Sequence, residues 1–462
     1  AITKLNEGNF GLAYEGNGGE DNAKNWARMF ATYTGGSEAV FVTLYNNVSP
    51  IASQNINRYN LWEQGIRPGN INGGGGKTPT AEIIDIFPMI DGKKPMESGV
   101  HYDPKKFFLN RDPRFYRTFA SQGEWKFNSG NVDFSGATMS GLCPTRYTSG
   151  ANYELWNYCW YTTADERNNP SRSGFAADML GTKNRGVYVR KRSDDFDLGT
   201  SLYVFTDNSS GDQQGFRRSA APYMEIRYAE VLLNLAESAC GAGGTYHAEG
   251  VKALKAVRGR VGYTSANNYG LDAAIETDRA KLFEAILYER QVELAFEGKR
   301  AYDMRRWMLF DGGVGQGALN ASWALSGFGG NTCTYLGVTP MNERGKRYRI
   351  EINVEGTGSA NNDSDPIKNV ERPAALTLNE KIATEADGET ILDPAVSSIC
   401  TFYDTYFSRK DISLDGNVLD INPYFQSRYY FFGLRQSAQQ TNATLYQTIG
   451  WEDYAHGGMG TF

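Results

Sequence analysis

The feature that most restricts the fold of this chain is a helical pattern running from about residue 223 to residue 311. In YMEIRYAEVLLNLAESACGAGG, Ile226, Ala229, Leu233, Ala236 and Cys240 recur at helical spacing, and Val231, Leu232 and Leu235 widen the apolar arc. Gly241, Gly243 and Gly244 close it, because glycine accepts the backbone angles that end a helix. YHAEGVKALKAVRGRVG supplies a second helix, with Val251, Leu254, Val257 and Val261 along one side. Two amphipathic helices joined by a glycine turn, with small residues facing each other, predict one tetratricopeptide-like hairpin and no repeating array.

The same region ends in ERQVELAFEGKRAYDMRRW (289–307), with nine charges and three aromatics in nineteen positions. At about 100° per residue, Leu282, Phe283, Ile286, Leu287, Arg290, Glu293, Leu294 and Glu297 share an arc, with Lys281, Glu284, Gln291 and Ala295 opposite. Charges on an apolar arc are costly unless paired. Arg290, Arg300, Arg305 and Arg306 are the cations within reach of Glu293 and Glu297, and Asp303 is a further acid. A glycosidase pair would instead need an open cleft between two carboxylates. The stretch reads as a structural ion-pair network.

Strands are short. EAVFVTLY near 38 and RGVYVRKR near 185 are β-branched or aromatic runs. KRYRIEINVEG alternates, with Tyr348, Ile350, Ile352 and Val354 on one face and charges on the other. Residues 120–152, 162–184, 312–345 and 355–400 are rich in Gly, Asn, Ser and Asp, and loops of this length usually carry function. The expected fold is mainly α: a helical scaffold with long irregular loops and a few short strands.

Composition excludes several classes. With 47 basic and 53 acidic residues the net charge is −6, so no basic field invites nucleic acid. No stretch approaches the roughly 20 apolar residues of a membrane span. Cys143, Cys159, Cys240, Cys333 and Cys400 are widely spaced without a C-x-x-C pair, and one or two bridges stay open. GGGGKTPT (73–80) lacks the glycine a phosphate loop needs at 71, where the chain has Ile71, and GGVGQG (312–317) has the wrong spacing for a dinucleotide. His101, His247 and His456 show no ligand spacing. NNDSDP (361–366) sets Asp363 and Asp365 close together without a calcium-loop pattern. Neither a cofactor nor a metal is expected.

Aromatic residues reach 13% beside 52 glycines, which suits stacking surfaces on loops as well as ordinary packing. NYELWNYCWYTT (152–163) gathers Tyr153, Trp156, Tyr158, Trp160 and Tyr161 between glycine- and serine-rich loops. Sugar rings offer apolar C–H faces to such rings, so these residues are the candidate ligand site, with Trp125 and Trp323 next. The run also fits a buried strand or helix with Leu155 and Cys159 as core neighbours, and both readings stand. Trp26, Trp307 and Trp451 lie in stretches that look structural.

RYAEVLLNLAESAC followed by YERQVELAFEGKRAYDMRRW resembles the paired signature of the SusD/RagB family of Bacteroidota outer-membrane lipoproteins. TPTAEIIDIFPMIDGK with NRDPRFYRTF resembles the middle of that family, and FFGLRQSAQQTNATLYQTIGW its carboxy-terminal close. One departure is local: Gly433-Leu434-Arg435 stands where the family usually has Pro-Ile-Pro. The other is at the amino terminus. Nothing before Ser37 supplies the lipid-anchored cysteine and tetratricopeptide helices with which members begin, and the chain opens at Ala1 without Met. A removed or missing leading part, including the anchor, is therefore expected.

The resemblance implies a single SusD-like domain over 1–462, with 223–311 as its helical signature. It also implies a cell-surface binding protein, not a catalyst. Such proteins capture oligosaccharides, or peptides in some relatives, and serve as lids on SusC-like TonB-dependent transporters. The rival readings are a glycoside hydrolase using loop carboxylates and a helical-repeat adaptor for other proteins.

Overall fold

The computed structural model describes residues 1–13, 23, 26–32, 36–46, 59–66, 77–121, 186–193, 203–205, 214–307, 348–352, 373, 382–412 and 427–460. Helices dominate these residues: α1 (Ile2–Glu7), α2 (Trp62–Ile66), α3 (Ala81–Ile86), α4 (Phe115–Thr118), α5 (Tyr228–Ala242), α6 (His247–Arg260), α7 (Arg279–Glu293), α8 (Arg300–Arg306), α9 (Pro394–Tyr406) and α10 (Gln436–Thr441). The strands are β1 (Ala39–Thr43), β2 (Phe119–Ser121), β3 (Val187–Val189), β4 (Tyr203–Phe205), β5 (Gln214–Ser219), β6 (Tyr223–Arg227), β7 (Tyr348–Ile352) and β8 (Phe407–Asp411). They form two-stranded sheets, β1 with β6, β2 with β3, β4 with β5 and β7 with β8. The mainly helical class expected from the sequence holds. The chain divides into two compact units, Ala1–Ile286 with Arg349–Lys410, and Leu287–Tyr348 with Asp411–Phe462.

In the first unit, α5 and α6 form the expected hairpin. Ala229, Leu233, Ala236 and Cys240 of α5, and Val251, Leu254 and Val257 of α6, are buried. Gly250 lets the helices meet: a Cβ there would stand 3.1 Å from the Ala236 carbonyl oxygen and 3.3 Å from the Ala239 Cβ. Ile226 does not belong to this face. It is exposed and lies in β6, which pairs antiparallel with β1 and delays the helix to Tyr228. Met224 and Arg227 on either side of it are buried three residues apart, and the pairing with β1 shifts register at Phe41, the partner of Ile226, as at a bulge.

Glu38 fixes this junction. Its fully buried carboxylate accepts from Arg227 (2.6 Å), Arg260 (2.8 Å) and the Ala13 N–H (2.9 Å), and Ala229 N–H approaches at 3.4 Å in the first turn of α5. One acid thus ties β1, β6 and both hairpin helices together. Two guanidiniums and a backbone donor compensate its desolvation.

The NRDPRFYRTF segment is as densely polar inside. The buried Arg111 donates to the carbonyls of Ile84 (2.7 Å), Phe87 (2.7 Å) and Phe107 (2.8 Å), closing the carboxy-terminal end of α3. Its guanidinium also lies against the rings of Tyr102 (4.8 Å) and Phe115 (4.6 Å). Asp112 accepts from Arg114 Nη2 (2.9 Å) and from the Tyr263 hydroxyl (2.6 Å). Phe87, Phe107, Phe108, Phe115, Phe119 and Tyr403 pack edge-on or tilted around them. Here the aromatic excess is core. In β7, Ile350 is buried as expected, but so is Glu351, on the face expected to be solvated; Arg349 pairs with it from within the strand and Lys410 of β8 lies 3.7 Å away. Cys240 and Cys400 are buried free thiols, and burial pushes them up to about 11 and about 12. Cys143, Cys159 and Cys333 lie outside the described residues.

In the second unit, residues 287–295 are buried without a break, so Gln291 and Ala295 do not form the solvated face expected of them. The helix also stops earlier than its pattern. Phe296 and Gly298 take φ of 60° and 78°, which ends α7 at Glu293 and starts α8 in a new direction. Farther on, Trp451 donates Nε1–H to the carbonyls of Arg428 and Phe431, both at 3.1 Å. Gly433, the first residue of the departure from Pro-Ile-Pro, lies against that indole, where a Cβ would come within 2.7 Å of the ring. Asp453 is buried, which opposes its charge. The N–H groups of Gln447, His456 and Ala455 outweigh this and hold it well below the usual carboxylate range.

Candidate functional site

The charged stretch 289–307 builds scaffold. Arg290 forks onto Asp303 with Nε–Oδ2 2.9 Å and Nη2–Oδ1 3.0 Å, and Arg306 adds Nε and Nη2 at 3.0 and 2.9 Å to the same Oδ1. Asp303 is 7% exposed at its side chain, so two guanidiniums and little water surround it. Arg290 and Arg306 also lean on Trp307, and Arg305 lies over Phe432 while donating to the Tyr429 carbonyl. Asp303 thus gathers Arg290 and Arg306. Glu293 and Glu297, the acids the helical arc singled out, are buried nearby in sequence at 0% and 2% exposure.

Among the described residues of the first unit are two clefts. One, of about 600 Å³, runs along α6 and is bordered by Val251, Lys252, Lys255, Gly259, Tyr269 and Glu276. Lys255 pairs with Glu276 at 2.5 Å and stands 5.6 Å from the Tyr269 ring centre. The other, of about 330 Å³, lies among His101, Asp103, Lys106, Asn110, Thr384 and Glu389. Asn110 is its fixed wall: it has φ of 54°, donates to Thr384 Oγ1 (2.8 Å) and accepts from Ala383 N–H (2.6 Å). Both clefts mix hydrogen-bond donors and acceptors, as hydroxyl-rich ligands require. The first adds the phenol ring of Tyr269 for an apolar face.

Among other aromatics, Trp62 carries Lys77 (5.4 Å) and Arg192 (4.4 Å) over its ring and donates Nε1–H to the Lys191 carbonyl (2.9 Å). Tyr446 is 74% exposed and lies flat on His456, centres 4.1 Å apart and planes 5° from parallel. Trp26 and Trp307 are buried and Trp451 is anchored, as their sequence settings suggested. The residues proposed from sequence for the ligand, Tyr153, Trp156, Tyr158, Trp160, Trp125 and Trp323, lie outside the described residues, as do Asp363 and Asp365. The sequence reading missed Tyr269 and its neighbours because it followed only the buried side of α6. The run NNYG, with two Asn before a Tyr-Gly pair, was the available signal of an unusual turn. Among the described residues no three His, Cys, Asp or Glu side chains converge to hold a metal ion.

The SusD family pattern matches residues 37–451. SusD-like protein P2 of Formosa agariphila is 38% identical over 95 residues, 20% of this chain and 18% of that protein. Two solved structures are similar. A SusD-like carbohydrate binding protein from Bacteroides fragilis is 21% identical with a TM-score of 0.37, covering 63% of this chain and 49% of its own. A SusD homolog from Bacteroides thetaiotaomicron is 16% identical with a TM-score of 0.31, covering 72% and 52%. The match spans under a fifth of the curated relative and about half of each solved chain.

Proposed function

The chain belongs to the SusD family, and on that premise we propose that it captures oligosaccharides at the cell surface and passes them to a SusC-like TonB-dependent outer-membrane transporter. It is a carbohydrate-binding protein of the SusD type and not an enzyme. The observation that carries the reading is the extent of the family match, which runs from β1 through the α5–α6 hairpin to Trp451. The Arg290–Asp303–Arg306 cluster supports it, since these charges are spent on one another.

The ligand site of this reading is the aromatic run 152–163, with Trp156 and Trp160 as stacking platforms, Tyr153 and Tyr158 beside them, and Trp125 and Trp323 as further contacts. Stacking an indole on a sugar face tolerates many partners, which suits a capture protein. A lipid anchor on a preceding segment would hold the protein at the outer membrane. No helix of the described residues is long and apolar enough to cross a membrane.

The test has two arms. Affinity purification from gently solubilised outer membranes should recover a β-barrel transporter in about equal amount. In calorimetry with neutral and acidic hexasaccharides, Trp156→Ala or Trp160→Ala should weaken binding about tenfold or more, taking as guide the roughly 1–3 kcal/mol of a nucleobase stacked on an aromatic ring, at unchanged melting temperature. Repeated recovery of the protein alone would count against the transporter. Intact affinity in both variants would place the ligand elsewhere.

A further inference from the structure

The turn after α6 holds two successive residues other than glycine in the left-handed region, Asn268 at φ 49° and Tyr269 at φ 57°, before Gly270 at 69°. Asn tolerates that region; tyrosine resists it, because its Cβ crowds the backbone. A glycine at 269 would make the same turn without strain, so what the tyrosine adds is its ring. That ring lies on α6 at Gly259, where a Cβ would come 3.3 Å from it. Arg258 fixes the turn by donating Nε–H to the Tyr269 carbonyl at 2.6 Å. A half-buried phenol is thereby held in the cleft of about 600 Å³ along α6. The volume is within the roughly 300–1,000 Å³ of ordinary ligand sites.

The charges in the cleft do not balance. Lys255 is matched by Glu276, and the guanidinium of Arg260 at the cleft's edge is held by Glu38. Lys252 is exposed and makes no ion pair with a described residue. One ammonium is left over beside a ring and a carboxylate. A pyranose bearing an anionic group meets each of these: its C–H face on Tyr269, its hydroxyls on Glu276, and its carboxylate or sulfate ester on Lys252.

We propose that the α6 cleft is a second sugar site, which takes one or two units of an acidic oligosaccharide. It rests on the carbohydrate-binding reading above but uses none of the loop aromatics. Occupied together with a loop site, it would hold a longer chain at two points and raise its affinity by linkage rather than by new contacts.

Isothermal titration with hexagalacturonate, a sulfated galactan hexasaccharide and neutral cellohexaose tests it on the whole chain. The first two separate a carboxylate from a sulfate ester as the recognised group. At least one acidic hexasaccharide should bind more tightly than cellohexaose and lose affinity as salt is raised. Tyr269→Gly, which removes the ring and relaxes the turn, and Lys252→Glu, which reverses the surplus charge, should each weaken that binding about tenfold, a loss of 1.4 kcal/mol. Tyr269→Gly should melt no lower than the parent. If it does melt lower, Lys252→Glu, a change at an exposed side chain, decides. An acidic hexasaccharide bound equally by the parent and by Lys252→Glu overturns the proposal, as does binding of none of the three. Binding of cellohexaose alone, lost in Trp160→Ala and untouched in Lys252→Glu, overturns the cleft and leaves the carbohydrate-binding reading standing.

Discussion

Asp112 and Tyr263 show how single side chains set the range of conditions under which the first unit is stable. Burial opposes the charge of Asp112, but the Arg114 guanidinium and the bonds from Arg114 and Tyr263 outweigh it and hold its carboxyl below the ordinary 3.8. A carboxylate with a depressed native pKa contributes stability that is complete above 3.8 and lost as pH falls through the native value. Burial, and then the charge of Asp112, push the Tyr263 phenol well above 10.0. Its contribution is complete below pH 10 and lost as pH rises through the native value. The pair therefore predicts a stability plateau with an acid and an alkaline limb. Tyr263→Phe removes the donor to Asp112, raises that carboxyl's pKa, shifts the acid limb to higher pH and takes away this phenol's share of the alkaline one. The expected loss at neutral pH is about 1.5–3 kcal/mol, that of a hydrogen bond to a charged group. Melting curves across pH check this; profiles of the two proteins that superimpose at both ends would refute it.

At the scale of elements, Gly250 is the position on which the α5–α6 hairpin turns. Gly250→Ala must push the Ala236 carbonyl or the Ala239 methyl aside, and overpacking of this kind costs about 1–3 kcal/mol. A melting temperature raised by the better helix propensity of alanine would show that the helices have room to part. The hairpin was legible in the sequence because its apolar residues repeat at 3.6 and its turn carries glycines. Ile226 was misread because YMEIR continues the helical spacing by coincidence, while its partner strand β1 lies 184 residues earlier (223 − 39) in the chain. The end of α7 was misread for a different reason. Leu294, Ala295 and Glu297 keep the helical period, and only the left-handed Phe296 and Gly298 break it. Periodicity reports what a residue can do in a helix; pairing partners and backbone reversals decide whether it is in one.

For the molecule as a whole, the sequence carried the family and the scaffold further than the site. The family segments build buried networks around Glu38, Arg111 and Asp303, in which removing one partner strands the charge or carbonyl of another. The α6 cleft left no comparable trace: Lys252, Lys255 and Glu276 are separately ordinary surface charges, and only the turn at Tyr269 brings a ring to them. With the charges of 289–307 engaged in holding the second unit together, the protein should show no turnover of any glycan or peptide it binds. Product analysis after long incubation with the three hexasaccharides and with peptides checks this. Cleavage that a single Asp or Glu substitution abolishes would return the enzyme reading.

The two buried thiols have a practical side. At pH 7 a group titrating near 11 is ionised about once in ten thousand molecules, and the thiolate is the form that reacts. Cys240 sits under the last turn of α5 and Cys400 in the middle of α9, so a maleimide reaches either one only when its helix lifts. In the native protein these two positions are silent clocks: the rate at which each is alkylated counts the openings of its own helix, one for the hairpin and one for the aromatic core, without any mutation to report them.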